Sequence, residues 1–255
     1  MKGRISWERI RDELAQVWNI ASKDIRVYYL QPPMIMFGLA MPFFLFFSFS
    51  VKRDIDAQSG IAQLLAMTIF FMASSAGPVI VPLERRSGTY DRMLAAPMSL
   101  ASLLIGQTLV GAFFAFVASA VPLLIGVFFL EVTISHAGFL LAGLLLASLA
   151  FSAFGMVFGS IPVQSVGNIM MPSTLIRWPL LFISGIFIPL GEMSPWARIL
   201  SYISPLTYAQ DVINIAVSGT GYLDPWLDLA LLMVLIVVFL VPAALLHHRS
   251  RVLGY

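Results

Sequence analysis

Residues 84–99 read Glu84-Arg85-Arg86-Ser87-Gly88-Thr89-Tyr90-Asp91-Arg92-Met93-Leu94-Ala95-Ala96-Pro97-Met98-Ser99, a charged segment between two long apolar runs. A turn between two membrane helices needs only a few polar residues. This segment is long enough to form a short helix of its own, which Pro97 would end. Its larger side chains can pack against another surface: Tyr90, Met93 and Leu94. We therefore interpret it as the part of a membrane protein that contacts a partner in the cytoplasm.

The composition predicts an all-α membrane protein. The chain has 255 residues, of which 59% are hydrophobic and 11% charged, and its mean hydropathy is +0.91. Soluble domains carry about 25% charged residues. The apolar runs are about 20 residues or longer, whereas barrel strands are about ten residues of alternating polarity. The net charge of +2 does not indicate nucleic-acid binding, and the absence of cysteine excludes a disulfide or a thiolate nucleophile.

The pattern predicts one transmembrane domain over residues 1–255. Residues 1–32 should hold a cytoplasmic amphipathic helix lying in the membrane interface, although an ordinary soluble cap helix is the alternative. Residues 33–246 should hold six spans, and residues 247–255 a cytoplasmic tail. We place the spans near 33–51, 61–83, 100–130, 137–161, 166–190 and 226–246.

The basic residues predict the orientation. Eleven Lys and Arg residues fall in the N-terminal segment, the loop after span two and the tail, whereas three fall on the opposite side. Basic residues concentrate on the cytoplasmic side, so both termini and the 84–99 loop should be cytoplasmic. Residues 190–225 form the longest outer connection, and we expect a pair of short helices there that dip into the outer leaflet or lie on it.

Several chemistries are absent from the sequence. It contains no Gly-x-x-x-x-Gly-Lys-Ser/Thr phosphate loop and no His-Glu-x-x-His zinc motif, so we expect no ATPase site, no catalytic residue and no metal site. All three histidines fall outside the predicted spans, which excludes an intramembrane Ser–His dyad. His247 and His248 are expected at a solvated tail end.

A small set of polar residues falls within the spans. Arg177 lies near the middle of span five, where a charge costs about 2.5–3.5 kcal/mol on insertion scales. It lines the substrate pathway and attracts an anionic or polar group, or it snorkels, or it pairs with carbonyls freed by neighbouring prolines. Milder candidates for the same pathway, which can equally join helices to each other, are Gln107, Gln164 and Asn168. Gly155 and Gly159 match the small-xxx-small packing pattern.

Two motifs resemble the permease subunits of type-2 ABC exporters. The first is a Glu at the end of span two, a Gly-Thr pair, a Leu and a Pro-x-Ser/Thr, here Glu84, Gly88, Thr89, Leu94, Pro97 and Ser99. The second resembles the family's Ser-Gly-x-x-x-Pro signature and its outer re-entrant helices, here Ser184, Gly185, Pro189, Pro205 and Tyr208. Both motifs occur in the family's order, and the order of helices and loops is similar throughout the chain.

The resemblance implies a transporter with two permeases and two separate ATP-binding cassette subunits. This chain would bind no cofactor, and ATP and magnesium would bind to the partner. The coupling helix would extend from Glu84 to Ser99, with Tyr90, Met93 and Leu94 in a groove of the ATPase. The polar surround would be Arg85, Arg86, Asp91 and Arg92, and the outer gate would comprise Ser184, Gly185, Pro189, Pro205 and Tyr208.

The resemblance therefore implies an exporter of a hydrophobic or amphipathic substrate, such as a drug, lipid or glycan. We expect a homodimer in a prokaryotic plasma membrane. Two alternatives remain at this point: an ion- or proton-driven carrier, and a membrane assembly factor that transports nothing.

Overall fold

The computed structural model describes Trp18 and residues 36–50, 56–89, 100–163 and 165–252. No β-strand occurs among these residues, so the predicted all-helical class is confirmed for this part of the chain. Apart from Trp18, the predicted interfacial helix lies outside the described residues, as do residues 90–99 of the 84–99 segment and Gln164.

Eight α-helices occur in the described residues. A π turn at Met36–Ala40 leads into α1, and a 3-10 turn at Leu190–Glu192 lies between α5 and α6. The helices are α1 (Met41–Ser50), α2 (Ala57–Arg86), α3 (Leu100–Phe129), α4 (Ala137–Gly159), α5 (Val166–Ile183), α6 (Pro195–Ser201), α7 (Pro205–Ser218) and α8 (Pro225–Val252).

Five helices are long and apolar enough to cross a membrane: α2, α3, α4, α5 and α8. They correspond to the second to sixth predicted spans. The first predicted span is described only as the π turn and α1, of five and ten residues. At 1.5 Å per residue these cover about 22 Å, less than the roughly 30 Å of a hydrocarbon core.

Helix α2 forms the centre of the fold. Every residue of its most apolar 18-residue window is buried, compared with 17% of the corresponding window of α8. It contacts α1, α3, α4, α5 and α7. Large apolar side chains on α3 and α8, such as Phe113, Leu124 and Val237, are exposed. Because these side chains are as apolar as lipid tails, this arrangement suits a bundle surrounded by lipid.

Glycines bring α2 and α4 into backbone contact. A Cβ atom added at Gly155 would lie 2.6 Å from the Ser74 carbonyl oxygen, and one added at Gly159 would lie 2.7 Å from the Gly77 carbonyl oxygen. Neither neighbour is a flexible side chain that can move away. The small-xxx-small pattern therefore serves contact between two helices of the same chain.

Helix α5 ends seven residues before the predicted end of span five. Gly185 has φ +90°, a conformation that L side chains rarely adopt, and Ser184 Oγ donates to the Leu181 carbonyl at 2.7 Å. The Ser-Gly pair thus stops the helix. The connection that follows contains α6 and α7, as the predicted pair of short helices requires; their position relative to the membrane stays a prediction.

The prediction of a solvated His247 is wrong. Helix α8 continues to Val252, and the His247 side chain is fully buried. The run Ala243-Ala244-Leu245-Leu246 keeps the helix apolar up to the histidine. Ser160, at the end of α4, supplies a polar partner for the imidazole ring, so burial does not leave that nitrogen unpaired.

Candidate functional site

The first candidate site lies at the end of α2, where the predicted partner-binding loop begins. Glu84 is fully buried and accepts a hydrogen bond from Gln107 Nε2 on α3 at 2.7 Å. Gln107 is itself 2% exposed. The bond joins two helices away from water, and a hydrogen bond of this kind contributes about 0.5–3 kcal/mol, depending on whether the carboxyl group is charged.

Arg85 joins the same end of α2 to the chain after α4. Its Nη1 donates to the Ile161 carbonyl at 2.5 Å and is 3.5 Å from the Val163 carbonyl. The side chain is buried, and its planar guanidinium can reach several acceptors at once. Arg86, one residue later, is exposed.

A third contact brings α8 into this region. His247 Nδ1 lies 3.2 Å from Ser160 Oγ, which donates to the Met156 carbonyl at 2.7 Å. Arg85 is close enough to His247 to act on it electrostatically. Glu84, Arg85, Gln107, Ser160 and His247 are called the Glu84 cluster below. The cluster connects α2, α3, α4 and α8 at the point where the 84–99 segment begins.

The first residues of the loop turn away from α2 at a glycine. Gly88 has φ +68°, and its N–H donates to the Arg85 carbonyl at 3.1 Å. The Ser87 and Thr89 hydroxyls are 2.9 Å apart. Glycine adopts this left-handed conformation without a steric penalty. The remaining predicted coupling residues lie outside the described residues: Tyr90, Asp91, Arg92, Met93, Leu94 and Pro97.

Arg177 is buried between α5 and α2. It is 2% exposed, its Nη1 donates to Ser75 Oγ at 2.9 Å, and its Nε donates to Ser173 Oγ at 3.0 Å. The partners are hydroxyls, whereas the sequence interpretation offered a substrate pathway, snorkelling, or pairing with carbonyls freed by prolines. Within the described chain, the arginine joins two helices.

The predicted pathway residues do not lie together. Gln107 bonds to Glu84, whereas Arg177 bonds to Ser75. Ser75 precedes Glu84 by nine residues on α2, so the two contacts lie about 14 Å apart along the helix axis. Asn168 is exposed at the start of α5. Their assignment to a single substrate pathway stays a prediction.

A second candidate site is a cavity of about 350 Å³ next to the Ser-Gly motif, called the Ser184 cavity, whose lining includes several polar residues. Three of the predicted gate residues line it: Ser184, Gly185 and Pro189. Its lining also includes residues from the start of α2 and the side of α7, and residues 190–191 and 220–222; the helix residues are Ser59, Gln63, Thr207, Gln210, Asp211 and Asn214.

The other two predicted gate residues lie elsewhere on α7. Pro205 is buried at the first position of the helix. The Tyr208 hydroxyl donates to the Tyr202 carbonyl at 2.7 Å, and burial raises the pKa of this phenol, with the Asp228 and Tyr202 charges acting in the same direction. Neither residue is among those lining the Ser184 cavity.

Asp211 is a cavity residue that sequence reasoning did not select. Its carboxylate accepts from the Tyr222 and Leu223 amides. Burial raises the pKa of Asp211, because the charged form loses its water, and these two amide bonds oppose that effect. The sequence feature that could have identified Asp211 is its position as a charged residue within the apolar stretch 196–217. Ser160 and His247 have no comparable feature.

Comparison with known proteins agrees with the two motifs. Residues 15–217 match the family model described as ABC-2 type transporter. Nodulation protein J of Neorhizobium galegae is 27% identical over 167 residues, which cover 63% of this chain and 62% of that protein. The chain thus spans less than two thirds of the length of this relative. Because the family model covers most of the chain and the described helices suit a membrane, this protein belongs to the ABC-2 type transporter family, as one of its membrane-spanning subunits.

Proposed function

We propose that the chain is the permease of an ATP-driven exporter, and that residues 84–99 bind a separate ATP-binding cassette subunit. The family assignment supports a transport subunit without an ATPase domain. Two copies of each subunit, with ATP and magnesium on the partner, would form the working transporter. The proposed cargo is hydrophobic or amphipathic: a drug, a lipid or a glycan.

The observation that carries this proposal is the buried connection between the loop and four helices. Glu84 bonds to Gln107 of α3, Arg85 bonds to the Ile161 carbonyl after α4, and Ser160 bonds to His247 of α8. A loop needed only to reverse the chain does not require such anchoring. Because packed interiors transmit displacement rather than absorb it, a push on the loop would move the ends of these helices together.

The orientation of the chain is part of the proposal. The basic residues would place the Glu84 cluster on the cytoplasmic side, next to the ATPase. The Ser184 cavity would then lie at the outer end, since Ser59 and Gln63 stand at the start of α2 and Glu84 near its end. ATP-driven movement at one end would reach the other end through α2.

The test is ATP hydrolysis by the partner, measured with and without this chain in lipid nanodiscs. Gly88→Pro should abolish stimulation, because proline fixes φ near −65° and removes the N–H that bonds to Arg85. Gly88→Asn is the matched control: asparagine keeps the N–H and tolerates the left-handed conformation. Among the described residues, nothing lies within 4 Å of a Cβ atom at position 88, so neither change brings its Cβ atom into a clash with them.

Equal stimulation by the Gly88→Pro and Gly88→Asn variants would contradict the docking role of the loop. Transport by the purified chain, driven by an ion gradient without any ATPase, would contradict the exporter mechanism and favour a carrier.

A further inference from the structure

A single line of buried residues holds α5 against the rest of the chain. These residues are Ile169, Ser173, Arg177 and Leu181, which follow one another at intervals of four and so lie on one face of the helix. Only 22% of the most apolar window of α5 is buried, whereas that of α2 is buried completely. The two central positions of the line are polar, so hydrogen bonds occupy the middle of the contact.

These hydrogen bonds are directional. Arg177 Nη1 donates to Ser75 Oγ at 2.9 Å, and the Ser75 hydroxyl donates its own hydrogen to the Phe71 carbonyl at 2.6 Å. The Nε and Nη2 atoms of Arg177 both donate to Ser173 Oγ, one turn earlier on α5. The Ser75 hydrogen is thus fixed on α2 while its oxygen accepts from α5, and Ser173 fixes the plane of the guanidinium. The contact therefore specifies one position of α5 along α2.

Stability alone does not account for an arginine at this position. Its side chain is 2% exposed, and among the described residues its hydrogen bonds are to hydroxyl groups. A charge inside a membrane span is costly, and hydrogen bonds between membrane helices offset only a small part of that cost. Apolar side chains would hold α5 in place without this cost, but they would not fix its position in the same directional way.

Aromatic rings continue from this contact to the end of α5. The Phe71 ring of α2 meets Trp178 edge to face, with 6.3 Å between the ring centroids. Trp178 stacks on Phe182 at 5.9 Å, and Phe182 contacts Phe187 at 5.3 Å. Phe187 lies in the segment 184–189, which contributes three residues to the lining of the Ser184 cavity. A displacement of α5 would therefore reach the segment beside this cavity.

We propose that Arg177 is a positioning residue that makes α5 follow α2 when the ATPase subunit acts on residues 84–99. The inference rests on the proposed function, because that function supplies the displacement of α2. The guanidinium keeps α5 in register with α2, and the aromatic rings extend the displacement to residues 184–189. This role requires no contact between Arg177 and the cargo, so its loss affects every cargo alike. Such a route is established only by a movement that depends on the linking bond.

Two neighbouring serines of α2 provide a matched pair of variants. Ser75→Ala removes the acceptor of Arg177 Nη1. Ser74→Ala is the control, because the Ser74 side chain is equally buried and its hydroxyl also donates to a carbonyl four residues earlier, that of Phe70. Among the described residues, Ser74 makes no side-chain bond to α5. Each variant loses one hydroxyl group, so a difference between them isolates the bond to the arginine.

Spin labels on α4 and α5 measure whether α5 follows α2. Helix α4 is in backbone contact with α2 and serves as the reference. Leu145→Cys on α4 and Leu175→Cys on α5 replace exposed side chains, and the chain has no other cysteine. Labelled chains diluted with unlabelled chains report the distance within one copy. The complex with the ATPase subunit in nanodiscs is measured without nucleotide and after trapping with ATP and vanadate.

The wild-type chain and the Ser74→Ala variant should keep the same distance between the labels on trapping, because α5 moves with α2 and α4. In Ser75→Ala, α5 should lag behind, so trapping should shift the distance while the chain still stimulates ATP hydrolysis. An equal response of the two serine variants, or a shift already present in the wild-type chain, would overturn the proposal. A role in stability alone would not make the distance depend on nucleotide.

The same labels on the chain without the ATPase subunit give a second readout. Because the bond to Ser75 fixes the position of α5, Ser75→Ala should broaden the distance distribution relative to Ser74→Ala, and equal widths would overturn the proposal. A wild-type chain that does not stimulate ATP hydrolysis would contradict the proposed function, and with it this inference. Normal stimulation with equal responses of the two variants would contradict this inference alone.

Discussion

The backbone contact between α2 and α4 yields a prediction whose size follows from the structure. In Gly155→Ala, the new Cβ atom would lie 2.6 Å from the Ser74 carbonyl oxygen, against an ordinary van der Waals contact at 3.4 Å or more. The helices must therefore separate by about 0.8 Å, and overpacking of this kind costs about 1–3 kcal/mol.

Gly138→Ala is the matched control on the same helix, because nothing lies within 4 Å of a Cβ atom at that position. Both variants gain the same alanine side chain, which by itself favours a helix over glycine. The difference between them therefore isolates the steric cost of closing the α2–α4 contact.

The assay is equilibrium unfolding in mixed micelles with increasing denaturing detergent, followed by tryptophan fluorescence. Gly155→Ala should be less stable than Gly138→Ala by about 1–3 kcal/mol, roughly 5- to 150-fold in the folded-to-unfolded ratio. Equal stability of the two variants would refute the inference that these glycines exist to bring the helices together.

Three further predictions concern buried polar residues. A double-mutant cycle of Glu84→Met and Gln107→Met should give a coupling energy of about 0.5–3 kcal/mol in unfolding, because the bond is buried between two helices; additive effects would contradict the bond. Arg177→Lys cannot bond to Ser75 and Ser173 in the same fork geometry, so it should destabilise the chain. Arg177→Ala should also reduce transport of an anionic cargo more than it reduces assembly. Normal transport at normal expression would exclude Arg177 from the pathway.

The sequence predicted the helical class and five of the spans because each of these properties depends on a long local pattern. Hydropathy over about 20 residues finds a span regardless of its neighbours. The end of α5 was placed too late because leucine and isoleucine continue past Ser184, and only the backbone angle of Gly185 shows the stop.

Contacts between distant residues could not be predicted in the same way. Gln107 was assigned to a pathway, yet it bonds to Glu84, 23 residues away in sequence. His247 was expected in water and is buried against Ser160, 87 residues away. Nothing in the local pattern of either residue identifies its partner, because the partner is set by how the helices pack.

The central claim, that residues 84–99 bind an ATPase subunit, is tested most directly by site-specific cross-linking. The chain contains no cysteine, so Met93→Cys supplies a single reactive thiol, and Thr220→Cys near the Ser184 cavity is the control. In the assembled complex, a short thiol-reactive linker should join position 93, and not position 220, to the ATPase subunit. An assembled complex in which position 93 does not cross-link, or in which position 220 does, would contradict the claim.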